Sequence, residues 1–232
     1  DVADADNGVG GAVVIQGGQS ASGGAVLLES GSSLTGASGS LSIKTGNSYG
    51  TEKSGGIFIV SGTTPSSGSG DVIVQTGAVA SGAQVGDIIV QPGATETGNA
   101  GAVLIGGGDS VDSPGGSVSV LSGVSSTLAS GDVNLGTTNG AGASGVVELV
   151  SGVSSSGCSG NVFIQTGKST GEGSGDVDIR TGDSTSDSGN INIRGGASEE
   201  RGGNVIIAGG VGTVSGGSVV LAAGSVPGSG ES

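Results

Sequence analysis

One module recurs fifteen times along the chain: Gly, any residue, an aliphatic, any residue, an aliphatic, two residues, then Gly. The aliphatic pairs begin at Val13/Ile15, Val26/Leu28, Leu41/Ile43 and Ile57/Ile59, and the series closes at Val205/Ile207 and Val219/Leu221. Successive first members lie 13 to 16 residues apart, most often 15. The residue two before each pair is always Gly, and the residue three after it is Gly in fourteen modules, with Thr138 as the exception. A fixed period of this kind marks one small unit that cannot bury its own apolar side chains and relies on neighbours to do so.

Period-two alternation of β-branched residues bounded by Gly predicts short, half-buried strands, and no segment carries the 3.6-residue apolar pattern of a helix. The sequence therefore predicts an all-β fold, a β-solenoid of fifteen strand–turn modules of about 15 residues, each strand paired with its equivalents above and below. The residue before the closing Gly alternates between Ser30, Ser61, Ser122 and Ser151 and Thr45, Thr76, Thr137 and Thr166. That alternation favours two modules per coil, with one module per coil as the alternative. The solenoid would be one continuous domain over 11–224, between an N-terminal segment 1–10 and a C-terminal tail or junction 225–232. Such short polar ends predict either a piece of a longer repeat protein or stacking of end on end.

The Gly/Ser tracts keep a near-constant length, so they read as turns rather than linkers. Gly would supply positive φ there and let backbones approach closely. Pro65, Pro114 and Pro227 fall in these tracts and Pro92 at a strand end, where a missing N–H is tolerable. The position just before the aliphatic pair holds Asn161, Asp176, Asn190 and Asn204 in four successive modules, a candidate ladder of side-chain hydrogen bonds. The position between the two aliphatics is large and apolar in Phe58, Ile73, Ile89 and Leu104, then polar at Ser119, Asn134, Glu148, Asp178 and Asn192. The apolar run is a candidate assembly surface; ordinary β-propensity is the plainer account.

Composition narrows the chemistry. Gly contributes 55 of 232 residues, but Pro contributes only 4 and Gly does not fall at every third position, so collagen is excluded. Hydrophobic residues at 33%, mostly Val, Ile and Leu, exceed what disordered chains carry. There is no His and one Cys, which removes imidazole bases, His/Cys metal sites and disulfide frameworks. Six basic residues against twenty acidic ones, a formal charge of -14, repel nucleic acid. No apolar run reaches the length of a membrane span, so no membrane insertion is expected.

The spellings that invite a catalytic or cofactor reading lack their partners. Gly46-Asn47-Ser48-Tyr49-Gly50 matches the nucleophile elbow, but no His exists to serve as base. Gly140-Ala141-Gly142-Ala143-Ser144-Gly145 matches a dinucleotide fingerprint, yet a strand-like segment follows instead of a helix. Asp71, Asp87, Asp132 and Asp176 share one module position, at a period that fits neither calcium-binding β-rolls nor EF-hands. No cofactor is expected, beyond weak, nonspecific Ca2+ association with an acidic surface. Cys158 reads first as a small buried filler, with a free thiol and an intermolecular disulfide as alternatives. Asn-x-Ser/Thr is absent, and O-linked sugars on the turns have no placing rule.

The module spelling, as in Ser174-Gly175-Asp176-Val177-Asp178-Ile179-Arg180-Thr181-Gly182-Asp183-Ser184, resembles long Gly/Ser-rich repeat proteins of unicellular algae and other aquatic protists, of the surface-coat or flagellar-hair type. The resemblance spans nearly the whole chain. It implies an extracellular or cell-surface structural role and carries over no site residues. The leading expectation is a non-enzymatic protein that builds a fibre, hair or coat by end-to-end and lateral solenoid association with copies of itself or with neighbouring repeats. The alternative is a binding module, an adhesin stalk or an ice-binding solenoid. Against ice binding, the column Gly17, Ser30, Thr45, Ser61, Thr76, Pro92, Gly107 is irregular where a regular Thr array is needed.

Overall fold

The structure, a computed structural model of the chain, describes residues 10–80 and 83–224. Most of the proposed segment 1–10 and all of the tail 225–232 lie outside the described residues. Two units are present, Asp1–Val118 and Ser119–Ser232.

Neither a helix nor a β-strand occurs among the described residues, which overturns the expected β-solenoid together with its one- or two-module coil. The aliphatic segments remain unpaired. Each module brings two aliphatic side chains to about 15 residues, and much of the remainder is Gly, whose ordering costs more backbone entropy than that of any other residue. Backbone hydrogen bonds are made within single tracts, between the closing Gly of one module and the opening Gly of the next.

Those tracts are where the order lies. Bends recur at 20–22, 34–36, 50–52, 65–67, 96–98 and 111–113 in the first unit. They continue at 126–128, 141–142, 155–157, 170–172, 185–186, 199–200 and 213–214 in the second. A hydroxyl organises most of them. Seven residues after the first aliphatic stands Ser or Thr in eleven of the fifteen modules, namely 20, 33, 48, 64, 95, 110, 125, 154, 169, 184 and 198. Gly36 N–H donates to Ser33 Oγ at 2.9 Å, Leu128 N–H to Ser125 Oγ at 2.9 Å and Gly157 N–H to Ser154 Oγ at 3.0 Å. Ser110 and Ser169 accept in the same way, and Ser20, Ser184 and Ser198 accept from the amide two residues on. Thr64 both accepts from the Ser67 amide and donates to its carbonyl, while Thr95 donates to the Thr97 carbonyl. These are side-chain mimics of a backbone turn.

Most bends have a throat, where the residue before the closing Gly meets the opening Gly of the next module. Thr45 lies 3.5 Å from the space a Cβ on Gly55 would take, Thr137 lies 3.1 Å from that of Gly145, and Pro92 lies 3.0 Å from that of Gly101. Where the throat residue is itself Gly, at 17, 107, 195 and 209, a Cβ there would run into the carbonyl of the facing Gly. Close approach accounts for the opening Gly where a Cβ would come within 3.3 Å of a neighbour, at Gly24, Gly39, Gly101, Gly116, Gly145, Gly203 and Gly217, whereas at Gly70 nothing lies within 4 Å. Positive φ is not the reason: among the described residues only Gly98 has it, at 113°. The Ser/Thr alternation read as a two-module coil is a property of these throats. Ser30 Oγ donates to the Gly39 carbonyl at 2.8 Å, and threonine methyls fill the equivalent space at Gly55, Gly86, Gly145, Gly175 and Gly189.

Candidate interaction surface

No described residue is buried, and only Gly17, Thr45, Thr76, Pro92 and Ser125 are half-buried, all of them in bends or their throats. The aliphatic pairs consequently face solvent. Exposure still keeps the period-two alternation: Val103 is 48% exposed and its neighbour Leu104 is 95% exposed. The first member of a pair lies next to the throat, whereas the intervening residue projects from the opposite side of the extended segment.

The candidate assembly residues Phe58, Ile73, Ile89 and Leu104 are all prominently exposed. The Phe58 ring folds over Gly56, two residues back on its own face, so closely that a Cβ on Gly56 would come within 3.1 Å of a ring carbon. Phe163, Ile206 and Val220 occupy the same module position and are also exposed. The candidate ladder residues Asn161, Asp176, Asn190 and Asn204 each stand exposed at the start of their own segment. Among the described residues no hydrogen bond joins any two of them.

The catalytic and cofactor spellings both fall at bends. Near Ser48, the Asn47 amide donates to the Tyr49 hydroxyl at 3.4 Å, and a bend follows at 50–52. In the Gly140–Gly145 stretch the chain turns so tightly that a Cβ on Gly140 would lie 2.8 Å from the Ala143 carbonyl oxygen. Asp71, Asp87, Asp132 and Asp176 are exposed and dispersed, and no cluster able to hold a metal ion occurs among the described residues. Cys158 is exposed at the exit of the bend 155–157, so the buried-filler reading does not hold and it is a free thiol in this structure. An open hollow of about 540 Å³ lies over the bend at 170–172, walled by polar residues including Gln165, Lys168, Ser169 and Glu172. The charged pair Arg180–Asp178 spans Ile179 on the outward side and is exposed to solvent screening.

The hydroxyl seven residues past the first aliphatic escaped the sequence reading. Its signal was available: aligning the modules on that aliphatic gives a Ser/Thr column broken only by Val79, Gly140, Gly212 and Val226. Aligning on the opening Gly of the next module hides it, because tract length varies between the two. Neither a family model, nor a curated protein, nor a solved structure matches the chain.

Proposed function

We propose that the chain is a non-enzymatic structural repeat protein that builds an extracellular fibre, hair or coat through association of its modules between copies. The reading rests on one observation, the exposed aliphatic pair recurring every 13 to 16 residues. The structure exposes 23,120 Å². Exposed aliphatic side chains in every module drive association, and the surface that covers them must carry apolar groups at the same spacing. A further copy of the chain meets that requirement in every module. The cell-surface placement follows from the Gly/Ser module spelling and its resemblance to protist coat and hair proteins.

Electron microscopy of the purified chain over a range of concentrations tests the reading. Filaments or sheets that lengthen with concentration are expected. Single particles at every concentration would remove self-assembly as the function and leave a binding module in its place.

A further inference from the structure

The module of Val133/Leu135 departs from the repeat at both of its marker positions. Thr138 stands where every other module closes with Gly, and Gly140 stands where eleven modules carry the hydroxyl that organises the bend. The Gly of this tract therefore follows Asn139 directly. The chain turns on it: a Cβ on Gly140 would lie 2.8 Å from the Ala143 carbonyl oxygen, and the bend follows at 141–142. Asn139 is exposed, and among the described residues no hydrogen bond engages its side chain or the Gly140 amide. Every other described asparagine precedes a residue that bears a side chain. After Asn161, Asn190, Asn192 and Asn204 that residue is Val or Ile, whose branched Cβ crowds the backbone nitrogen.

We infer that Asn139 is a site of spontaneous covalent modification, an intramolecular deamidation in which the Gly140 amide nitrogen attacks the Asn139 side-chain carbonyl. The reaction needs only water and a base from solvent. The Gly140 N–H gives its proton to base, the nitrogen bonds to Asn139 Cγ, and the Cγ–Nδ2 bond breaks as ammonia leaves with a proton from water. Water then opens the succinimide ring at either of its carbonyls, leaving an aspartyl or an isoaspartyl residue at position 139. Gly favours the attack because it has no Cβ to shield its nitrogen and is free in its backbone dihedrals. An amide without an acceptor has no hydrogen bond to give up first, and adjacency of the two groups makes the step unimolecular. Either product adds one negative charge to a chain that already carries -14. The isoaspartyl form also lengthens the backbone by one carbon beside the throat, where Thr137 Oγ1 donates to the Gly145 carbonyl at 3.4 Å. The inference does not depend on the structural role proposed above.

The test incubates the purified full-length chain at neutral and at mildly alkaline pH and follows position 139 by peptide mapping. Trypsin, cutting after Lys53 and Lys168, releases Asn139 apart from Asn7-Gly8, the same dipeptide outside the described residues. Tandem mass spectrometry then locates the change within that fragment, and enzymatic methylation scores isoaspartate. Position 139 is expected to convert ahead of Asn99, Asn134 and Asn161 in the same fragment, to a mixture of isoaspartyl and aspartyl products. The rate should rise with pH, because the attacking nitrogen must first lose its proton. G140A should slow the conversion by about tenfold or more, through the Cβ it places beside that nitrogen. A position 139 that converts no faster than the other asparagines of the fragment would overturn the inference. Conversion to the aspartyl product alone, or at a rate G140A leaves unchanged, would mean direct hydrolysis by water and would overturn it equally.

Discussion

A single hydroxyl organises the turn in most of the tracts. Ser154 Oγ accepts the Gly157 amide at 3.0 Å while the aliphatic segments on either side stay unpaired, so the bond is local and owes nothing to a core. Removing it should free one amide and little else. Ser154→Ala is expected to speed exchange of the Gly157 amide by about 2- to 10-fold, the range that matches a net hydrogen bond of roughly 0.5 to 1.5 kcal/mol. Amides of neighbouring bends should be unchanged when followed by NMR hydrogen exchange. Spread of the effect to the bend at 170–172 would show that bends are coupled and would reject the local account. In two of the four modules without the hydroxyl its place is taken by Gly: at Gly140 and Gly212 a carbonyl three residues on occupies the space any Cβ would need.

The bend as a unit is graded by its throat. All four throats with Gly, at 17, 107, 195 and 209, are closed by a backbone bond: Gly24 to Gly18, Gly116 to Gly108, Gly203 to Gly196 and Gly217 to Gly210. Two serine throats close too, through Gly39 to Gly31 and Gly131 to Gly123. No threonine throat does among the described residues, where the threonine methyl occupies the space facing the opening Gly, and the serine throats at Ser61 and Ser151 stay open too. Gly107→Thr should therefore open its bend and expose the Gly116 amide to exchange, whereas Thr166→Gly should protect the Gly175 amide. An exchange pattern indifferent to both substitutions would mean that throat size is not what closes the bend. The same comparison shows what was legible beforehand. The period, the invariant opening Gly and the location of the turns follow from spacing alone, since each is a local property of the tract. Strand pairing is not local: Val72/Val74 or Val177/Ile179 read equally well as a paired strand or as an unpaired extended segment, because alternation reports two faces and not what covers them. The Ser/Thr alternation misled for the same reason, since a throat contact and a coil repeat both recur once per module. Phe58, Ile73, Ile89 and Leu104 are legible as a run from spacing alone, and their exposure does not set them apart, because the aliphatic pairs beside them are exposed as well.

For the molecule as a whole, apolar exposure and charge pull in opposite directions. Every module offers aliphatic surface for association, yet each copy carries a formal charge of -14, and acidic residues such as Asp109, Asp112, Asp183, Asp187, Glu199 and Glu200 sit in or beside the bends. Association of modules between copies, as proposed above, would bring carboxylates of one copy near carboxylates of the next. Being exposed, they are open to screening, and the Debye length falls from about 30 Å at 0.01 M salt to about 10 Å at 0.1 M. The concentration at which light scattering first reports assembly should therefore drop several-fold as NaCl rises from 0.01 to 0.3 M, flattening once the screening length is shorter than the gap between bends. CaCl2 at matched ionic strength should act much as NaCl does, because the acidic residues of successive modules are dispersed and gather into no cation cage among the described residues. A Ca2+ effect far larger than ionic strength allows would mean that carboxylates from separate copies share a cation, and repulsion at the bends would then be replaced by bridging. Assembly that weakens with added NaCl would instead place attraction between unlike charges at the contact, which six basic residues against twenty acidic ones can supply only at Lys- and Arg-bearing modules such as those of Lys168, Arg180 and Arg194.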